Sequence, residues 1–389
     1  MILSTPARAL AIIFTLISIS QALPHPSPEA SNPSSSQQLS RRLNRRATPT
    51  DYVDYAVAGI NQMQTWYSAS TGLYSNAWWN SANVITMLAD FQDYFPSQAE
   101  PTTNSVFPTT LANAPGGGGF PGFINGYYDD ELWWALAWIK VFDVTQNSTY
   151  LDMAASIFED AKSVWGTATC GGLWWDKAHT QNGAVENELY LTTAAKLANR
   201  SPLTPSNGYY LAEAKKAHDW FLASGLINSN NTINNGLNLQ TCQNDANVVF
   251  SYNQGIILSG LAEMTWSTGD DSYNVLANTI ATAAIAALTD ANGVLHELCE
   301  PNACDSDEQQ FKGIFGRNIQ FLYSRADVLP DDTKALYLNF LTANANSIWA
   351  NDQANNQLGL DWSGPDATVT VETQSSALDV IVGAACATI

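Results

Sequence analysis

The sequence predicts an all-α protein, a closed (α/α)6 toroid of six inner and six outer helices, and three observations carry that prediction. Glycine-marked loops recur at Gly72, Gly126, Gly172, Gly236, Gly293 and Gly359, separated by 54, 46, 64, 57 and 66 residues. Each loop feeds a stretch that is apolar nearly all round, as a helix buried on every side must be. After most of these comes a stretch with an apolar stripe on one side and charges on the other, the mark of a helix with one wet face.

In chain order, residues 1–22 read as an export signal: Arg8, an apolar run from Ala9 to Ile19, then Ser20-Gln21-Ala22 as a small-x-small cleavage site. The run is too short to span a bilayer. Residues 23–46 turn to Pro, Ser and Gln and end in the dibasic pairs Arg41-Arg42 and Arg45-Arg46. They read as a propeptide with a processing site or as a disordered linker. The folded body is then residues 47–389, a secreted domain with no second Pro/Ser-rich break. An outer helix over Asp51–Tyr67 should pack beside the last inner helix and close the ring. Inner helices are expected at Ser81–Tyr94, Tyr128–Asp143, Ala184–Ala198, Ser251–Trp266, Asp307–Tyr323 and Glu372–Ala385. Outer helices are expected at 148–165, 207–223, 270–288 and 331–349. The first of these sets Leu151, Ala154, Phe158, Ala161 and Trp165 against Asp152, Glu159 and Lys162. The remaining outer helix should lie within 102–113, where TTNSVFPTTLAN carries Pro108 and makes a poor helix. An open solenoid is the competing architecture, but its repeats are shorter and seldom carry long aromatic loops on one face only.

The chain has 16 Lys+Arg against 36 Asp+Glu, a net charge of −20, and five of the arginines fall in residues 1–46. So acidic a body repels nucleic acid and anionic membranes, whereas an uncharged polysaccharide fits. The ending ALDVIVGAACATI reads as the last inner helix rather than a lipid-anchor signal, so no stable membrane anchor is expected, and the protein should be a monomer. In an oxidising compartment Cys299 and Cys304, bracketing EPNA, should close a small loop. Cys170 and Cys242 lie in glycine-rich loops before helices and are the second candidate pair, leaving Cys386 as a free thiol. His25, His179, His218 and His296 are scattered, so no metal set and no cofactor is expected. Asn147, Asn199 and Asn230 head glycosylation sequons.

Because every inner helix runs the same way, the loops before them meet at one mouth of the ring. There the run Tyr127–Trp134, YYDDELWW, places Asp129 and Asp130 at the start of a helix. Adjacent carboxylates repel, and aromatic neighbours desolvate them, so both effects raise their pKa values and favour one protonated and one ionised acid. Side chains so placed can stand roughly 5–6 Å apart, near the separation used by a nucleophile and an acid/base in retaining glycosidases. Acids in a helix's first turn are also common as caps, and the pair by itself is not specific. The same mouth gathers Tyr128, Trp133, Trp134, Trp175 and Tyr252 as flat apolar faces. Asp176, Asn187, Glu188, Asn253 and Gln254 supply hydrogen-bonding groups there. Rings that cover the C–H face of a pyranose, beside acids and amides for its hydroxyls, make a sugar site. Lys312 and Arg317 are the basic candidates for substrate contact on an inner helix, their bland role being to pair with acids such as Asp307 or Glu308.

Four ordered blocks are more specific: YYDDELWWALAW (127–138), CGGLWWDK (170–177) with VENELYLTTAAKLANR (185–200), SYNQGIILSGLAEM (251–264) and EQQFKGIFGRNIQFL (308–322). With these the chain resembles glycoside hydrolase family 76, the endo-α-1,6-mannanases of bacteria and fungi, over nearly all of its mature length. The resemblance implies the (α/α)6 fold and retaining hydrolysis of α-1,6-mannosidic bonds, with Asp129 as nucleophile and Asp130 as acid/base. It implies α-1,6-mannan or another mannose-containing cell-wall polysaccharide as the partner. Two other readings share these features: transglycosylation of wall mannan or glycolipid anchors, proposed for some fungal relatives, and a mannan-binding module without turnover. An expanded GGGG loop and a Pro-interrupted outer helix before the Asp pair depart from the family pattern and would reshape one end of the cleft. Paired-carboxylate chemistry needs no metal, so activity should survive a strong chelator; loss on chelation with recovery on adding Ca²⁺ would reveal an oxygen-ligand site.

Overall fold

Local signals start the ring. The Thr48 hydroxyl accepts the Asp51 N–H while the Asp51 carboxylate accepts the Thr48 N–H at 2.7 Å, a capping box that fixes the first turn. In the computed structural model, which describes residues 47–200, 205–301, 303–325, 329–365 and 368–389, twelve α-helices follow among the described residues. The expected export signal and propeptide lie outside the described residues. The outer helices are α1 (Pro49–Met63), α3 (Pro96–Asn113), α5 (Ser148–Ser163), α7 (Pro205–Ser224), α9 (Ser272–Leu288) and α11 (Asp331–Ser347). The inner helices are α2 (Trp78–Tyr94), α4 (Tyr128–Thr145), α6 (Val185–Arg200), α8 (Ser251–Thr268), α10 (Phe311–Arg325) and α12 (Val371–Ala387). Inner helices touch in cyclic order, α2–α4–α6–α8–α10–α12, and α12 touches α2 again. The outer helices α3, α5, α7, α9 and α11 each pack on the inner helix before them, and α1 packs on α12, closing the ring. Two short antiparallel hairpins, β1 (Tyr67–Ser68) with β2 (Leu73–Tyr74) and β3 (Leu237–Asn238) with β4 (Gln243–Asn244), decorate the mouth loops.

The one outer segment with poor helix propensity is nonetheless a full helix. α3 runs for 18 residues through Pro101 and Pro108, six residues longer at its start than the sequence suggests. Ala99, Thr103, Val106, Phe107 and Thr110 are buried on one side. Thr110 donates from its hydroxyl to the Gly72 carbonyl at 2.9 Å, and the Tyr67 hydroxyl lies 3.0 Å from that of Thr110. Tertiary burial and these bonds outweigh the backbone bonds that two prolines remove.

The inner wall packs tightly enough to select glycine. A Cβ on Gly313 of α10 would stand 2.5 Å from the Ser376 Cα of α12, and one on Gly255 of α8 would stand 2.7 Å from the Phe315 Cα of α10. Every residue of α12 is buried. Ion pairs tie the inner helices near their C-terminal ends, far from the mouth. Lys140 of α4 meets Asp90 at 3.2 Å and Asp93 at 2.7 Å on α2, while Arg200 of α6 meets Asp143 of α4 at 2.7 Å and Glu263 of α8 at 2.9 Å. Both expected disulfides are present: Cys170–Cys242 has a Cα separation of 5.2 Å and Cys299–Cys304 one of 4.7 Å. Cys386 is free and buried on α12. No helix among the described residues is long and apolar enough to cross a membrane.

Since the α10–α12 contact has no room for a side chain at 313, Gly313→Ala should push the two helices apart and destabilise the protein by about 1–3 kcal/mol. Urea unfolding measures this, and an unchanged midpoint would show that the ring yields freely there.

Candidate active site

The loop that delivers the Asp pair is shaped by two glycines with almost no space around them. A Cβ on Gly117 would lie 2.5 Å from the Trp78 ring, and one on Gly118 would lie 2.6 Å from the Cβ of Asn125. The loop therefore lies flat on Trp78 and turns at Phe123, whose ring is buried against Trp134 and Trp138. This brings Asn125 under the start of α4. Its amide donates to Asp130 at 2.6 Å, its side-chain oxygen accepts the Tyr127 N–H at 2.8 Å, and its own N–H donates to Glu131 at 3.0 Å. Glu131 is wholly buried and also receives Lys177 at 2.9 Å; Lys177 in turn pairs with Asp160 at 3.0 Å.

A second loop completes the floor. Tyr127 and Asp176 form an antiparallel bridge, the Tyr128 N–H donates to the Trp175 carbonyl at 2.9 Å, and the Lys177 N–H donates to the Gly126 carbonyl at 2.9 Å. With the backbones joined, the Trp175 indole N–H reaches Asp129 at 2.9 Å. The other Asp129 oxygen, Oδ1, is buried and has no protein partner. Burial is the main force raising Asp129, to about 7, with the indole bond pulling against it and the charge of Asp307 adding to it. Asp130 is raised well above the ordinary carboxyl range, first by burial and then by the charge of Asp129, with the Asn125 bond pulling it down. Asp307, which accepts the Trp79 indole N–H at 3.0 Å, contributes to both shifts.

From Trp175 a cleft of about 540 Å³ runs over Glu186, Asn235, Tyr252 and Phe311 to Asp307. Tyr252 stacks on Phe311 with centroids 3.8 Å apart, and its hydroxyl donates to Asn235 at 3.3 Å. Asn253 donates to the same Asn235 oxygen at 2.9 Å and keeps its own oxygen unpartnered. Among the described residues, five acids line the cleft, Glu186, Asp245, Asp305, Asp307 and Glu308, and no Lys or Arg does. That field disfavours anionic sugars.

Of the residues singled out from sequence, the structure places Asp129, Asp130, Trp175 and Tyr252 near one another, with Tyr128 buried beneath Lys177, and several others lie away from the cleft. Trp134, one turn deeper than Asp130 on α4, is fully buried among Trp78, Phe123 and Trp138. Trp133 is buried toward the ring axis, stacked on Trp79 and under the Arg317 guanidinium. Asp176 spends both oxygens on Thr180, at 2.7 Å each, closing a turn. Asn187 holds the 173–183 loop, accepting the Leu173 N–H at 2.8 Å and donating to the Gly183 carbonyl at 2.8 Å. Glu186, two residues before Glu188, lines the cleft, while Glu188 is fully buried with both oxygens unpartnered, and burial lifts its pKa strongly. Gln254 is used on the Ile233 backbone, accepting and donating at 2.8 Å. Lys312 and Arg317 are buried ion-pair residues. Lys312 pairs with Glu300 and donates to the Leu360 carbonyl at 2.7 Å, and Arg317 pairs with Asp379 at 3.2 Å and with Asn83; neither meets Asp307 or Glu308.

Of the sequon asparagines, Asn147 and Asn230 are exposed. Asn199 is half-buried, its amide nitrogen donating to the Glu263 carbonyl and carboxylate at 3.0 and 2.6 Å, so its N–H groups are engaged within the fold. His296 and Glu300, four residues apart, lie together with the sequence-distant Asp361 at metal-like spacing, but the Lys312 ammonium already sits on Glu300. Asn125, Glu131, Lys177, Asn235 and Asp307 were not picked out by sequence reasoning. Asn125 alone carried a signal, a polar residue in the glycine-rich turn that leads to the pair.

Several buried acids share the raised pKa of Asp129: Glu131 and Glu186 are pushed to about 8, Glu297 and Asp379 to about 7, all chiefly by burial. Between the ordinary carboxyl range and these values the folded chain holds more protons than the unfolded one, so stability falls as pH rises across that window. The melting temperature should be higher at pH 5 than at pH 8.5, and the opposite order would mean these acids are ionised in the fold.

The profile described as Glycosyl hydrolase family 76 matches residues 48–388. Mannan endo-1,6-alpha-mannosidase DCW1 of Saccharomyces cerevisiae is 24% identical over 352 residues, covering 81% of this chain and 74% of the relative. Mannan endo-1,6-alpha-mannosidase DFG5 of Candida albicans is 24% identical over 274 residues, covering 64% of this chain and 60% of the relative, less than two thirds of that protein's length. An inactive variant of an alpha-1,6-mannanase from a Salegentibacter species, with two consecutive aspartates replaced and alpha-1,6-mannotetrose bound, has a TM-score of 0.75 at 21% identity and covers 87% of this chain and 99% of its own. Dfg5 from Chaetomium thermophilum in complex with glucosamine has a TM-score of 0.74 at 19% identity, covering 88% and 92%. At these identities the structural likeness speaks for the fold.

Proposed function

Because the chain belongs to glycosyl hydrolase family 76, we propose that it is a secreted endo-α-1,6-mannosidase that cuts the backbone of α-1,6-mannan with retention of configuration. One observation carries the reading: two adjacent aspartates, both with raised pKa values, sit beside an acidic, aromatic-floored cleft and have different partners. The mannan named for the fungal relatives and the mannotetrose bound by the bacterial one support the substrate.

In this mechanism the Asp129 carboxylate attacks the anomeric carbon while Asp130 gives its proton to the departing glycosidic oxygen, and the C–O bond breaks. The Trp175 indole steadies the ionised form of Asp129. Forming the glycosyl ester removes the negative charge of Asp129. That charge is the second cause holding Asp130 up, so the pKa of Asp130 falls at the stage where it must act as base. Asp130 then takes a proton from water as the water oxygen attacks the anomeric carbon. The ester bond breaks, its electrons return to Asp129, and the product keeps the α configuration.

Incubation with unbranched α-1,6-mannan should yield short α-configured oligosaccharides, and Asp129→Asn should abolish turnover. Release of the β anomer first would rule out Asp129 as nucleophile. Mannan carrying phosphate groups should be cut more slowly, since the charged side chains lining the cleft are all acids.

Asn125→Ala tests the acid/base separately. Asn125 lowers the pKa of Asp130, so its loss should move the basic limb of the kcat/KM profile to higher pH and reduce kcat/KM about tenfold. A limb that stays in place would mean that the acid is another group.

A further inference from the structure

The far face of the ring holds a second concave, sugar-like surface that the catalytic reading leaves unused. α8 starts at the mouth with Ser251, and at about 1.5 Å per residue Trp266 stands roughly 20 Å away from it. The Trp266 ring is 64% exposed, the only tryptophan among the large exposed apolar side chains of the described residues. The Arg325 guanidinium of α10 lies over this ring, 5.4 Å from its centroid, and holds it in place. Next to it opens a depression of about 390 Å³ between α8, α9 and α10, lined by Thr265, Asp271, Asn274 and Ser324.

Asn274 is the telling residue. It is 95% buried, it lines this depression, and its side-chain oxygen has no hydrogen-bond partner. A buried amide oxygen left unpaired is destabilising, and a hydroxyl donor that reached it from the depression would remove that penalty. The same residue also lines a neighbouring depression of about 670 Å³ along α9, with Asn278, Thr279, Thr282 and the exposed Val275. The two hollows thus meet at Asn274. Apart from Asp271 and Arg325 at one end, the lining offers amides, hydroxyls and apolar patches. Groups of that kind suit a neutral, polyhydroxylated chain with C–H faces, and not a charged partner.

We infer that this face is a second, non-catalytic binding site for a neutral α-1,6-mannan segment, with Trp266 as its platform and Asn274 as its internal acceptor. The choice of mannan rests on the function proposed above. A site on the face opposite the cleft would hold the enzyme on a long polymer and raise the effective concentration of bonds to cut, while leaving a short oligosaccharide unaffected.

The test uses the full chain in two forms. In the first, the Asp129→Asn/Asp130→Asn protein is titrated calorimetrically with α-1,6-mannotetraose, with and without Trp266→Ala. Trp266→Ala should remove one binding site, and Asn274→Ala should weaken that same site. Unchanged stoichiometry and affinity in Trp266→Ala would overturn the proposal; because Trp266 is exposed, the variant should fold normally. In the second form, Trp266→Ala in the otherwise unaltered enzyme should leave kcat/KM on mannotetraose as it was and raise KM on polymeric mannan by at least about threefold. Equal polymer kinetics would count against the site while leaving the hydrolase reading intact. Conversely, if the enzyme cleaves no mannan but Trp266→Ala still removes a mannotetraose site, the second site stands and the catalytic reading falls.

Discussion

The backbone bridge between Tyr127 and Asp176 is the contact on which the candidate site depends. It joins the loop that enters α4 to the loop that enters α6, so two segments nearly 50 residues apart move as one. Without it the Trp175 indole would have no reason to meet Asp129, and the Asp pair would present two chemically equal acids. With it, one acid takes an indole N–H and the other takes the Asn125 amide. Difference of partner, set by backbone geometry, is what would allow the difference of role proposed above.

Behind the pair stands a short chain of polar groups from Asp160 through Lys177, Glu131 and Asn125 to Asp130. Glu131 is buried at a cost that only its two partners offset. What it provides is position: it fixes the Asn125 backbone, so the amide that touches Asp130 has little freedom. The crowding at Gly117 and Gly118 serves the same end, because a larger residue at either place would lift the loop off Trp78 and carry Asn125 with it.

The architecture was readable because it rests on periodicity. All-round apolar helices, one-sided helices and glycine loops repeat six times, and the ring follows. The exception is α3, where Pro108 argued against a helix and burial of Val106 and Phe107 decided for one. Sequence placed the Asp pair at the start of an inner helix, but it could not say which way side chains on such a helix point. Adjacent residues there diverge by about 100°, so Trp133 stacks on Trp79 under Arg317 while Trp134 goes to the core among Trp78, Phe123 and Trp138. Loop residues were harder still. Asp176 looks like a sugar ligand until its two oxygens are seen to close on Thr180. Lys312 and Arg317 had their true partners, Glu300 and Asp379, 12 and 62 residues away along the chain, where no local pattern could show them.

The contact between α12 and α2, with α1 set against α12, makes the array circular. A linear stack of helix pairs has end units that touch one neighbour, and such stacks lengthen or shorten by whole repeats with little penalty. Here no unit is terminal. Removing one pair would leave five wedges cut for a different curvature, and adding one would open a gap along the axis. The number six is therefore held by closure itself, and changes of length are borne most easily by the loops between helices, which closure leaves free.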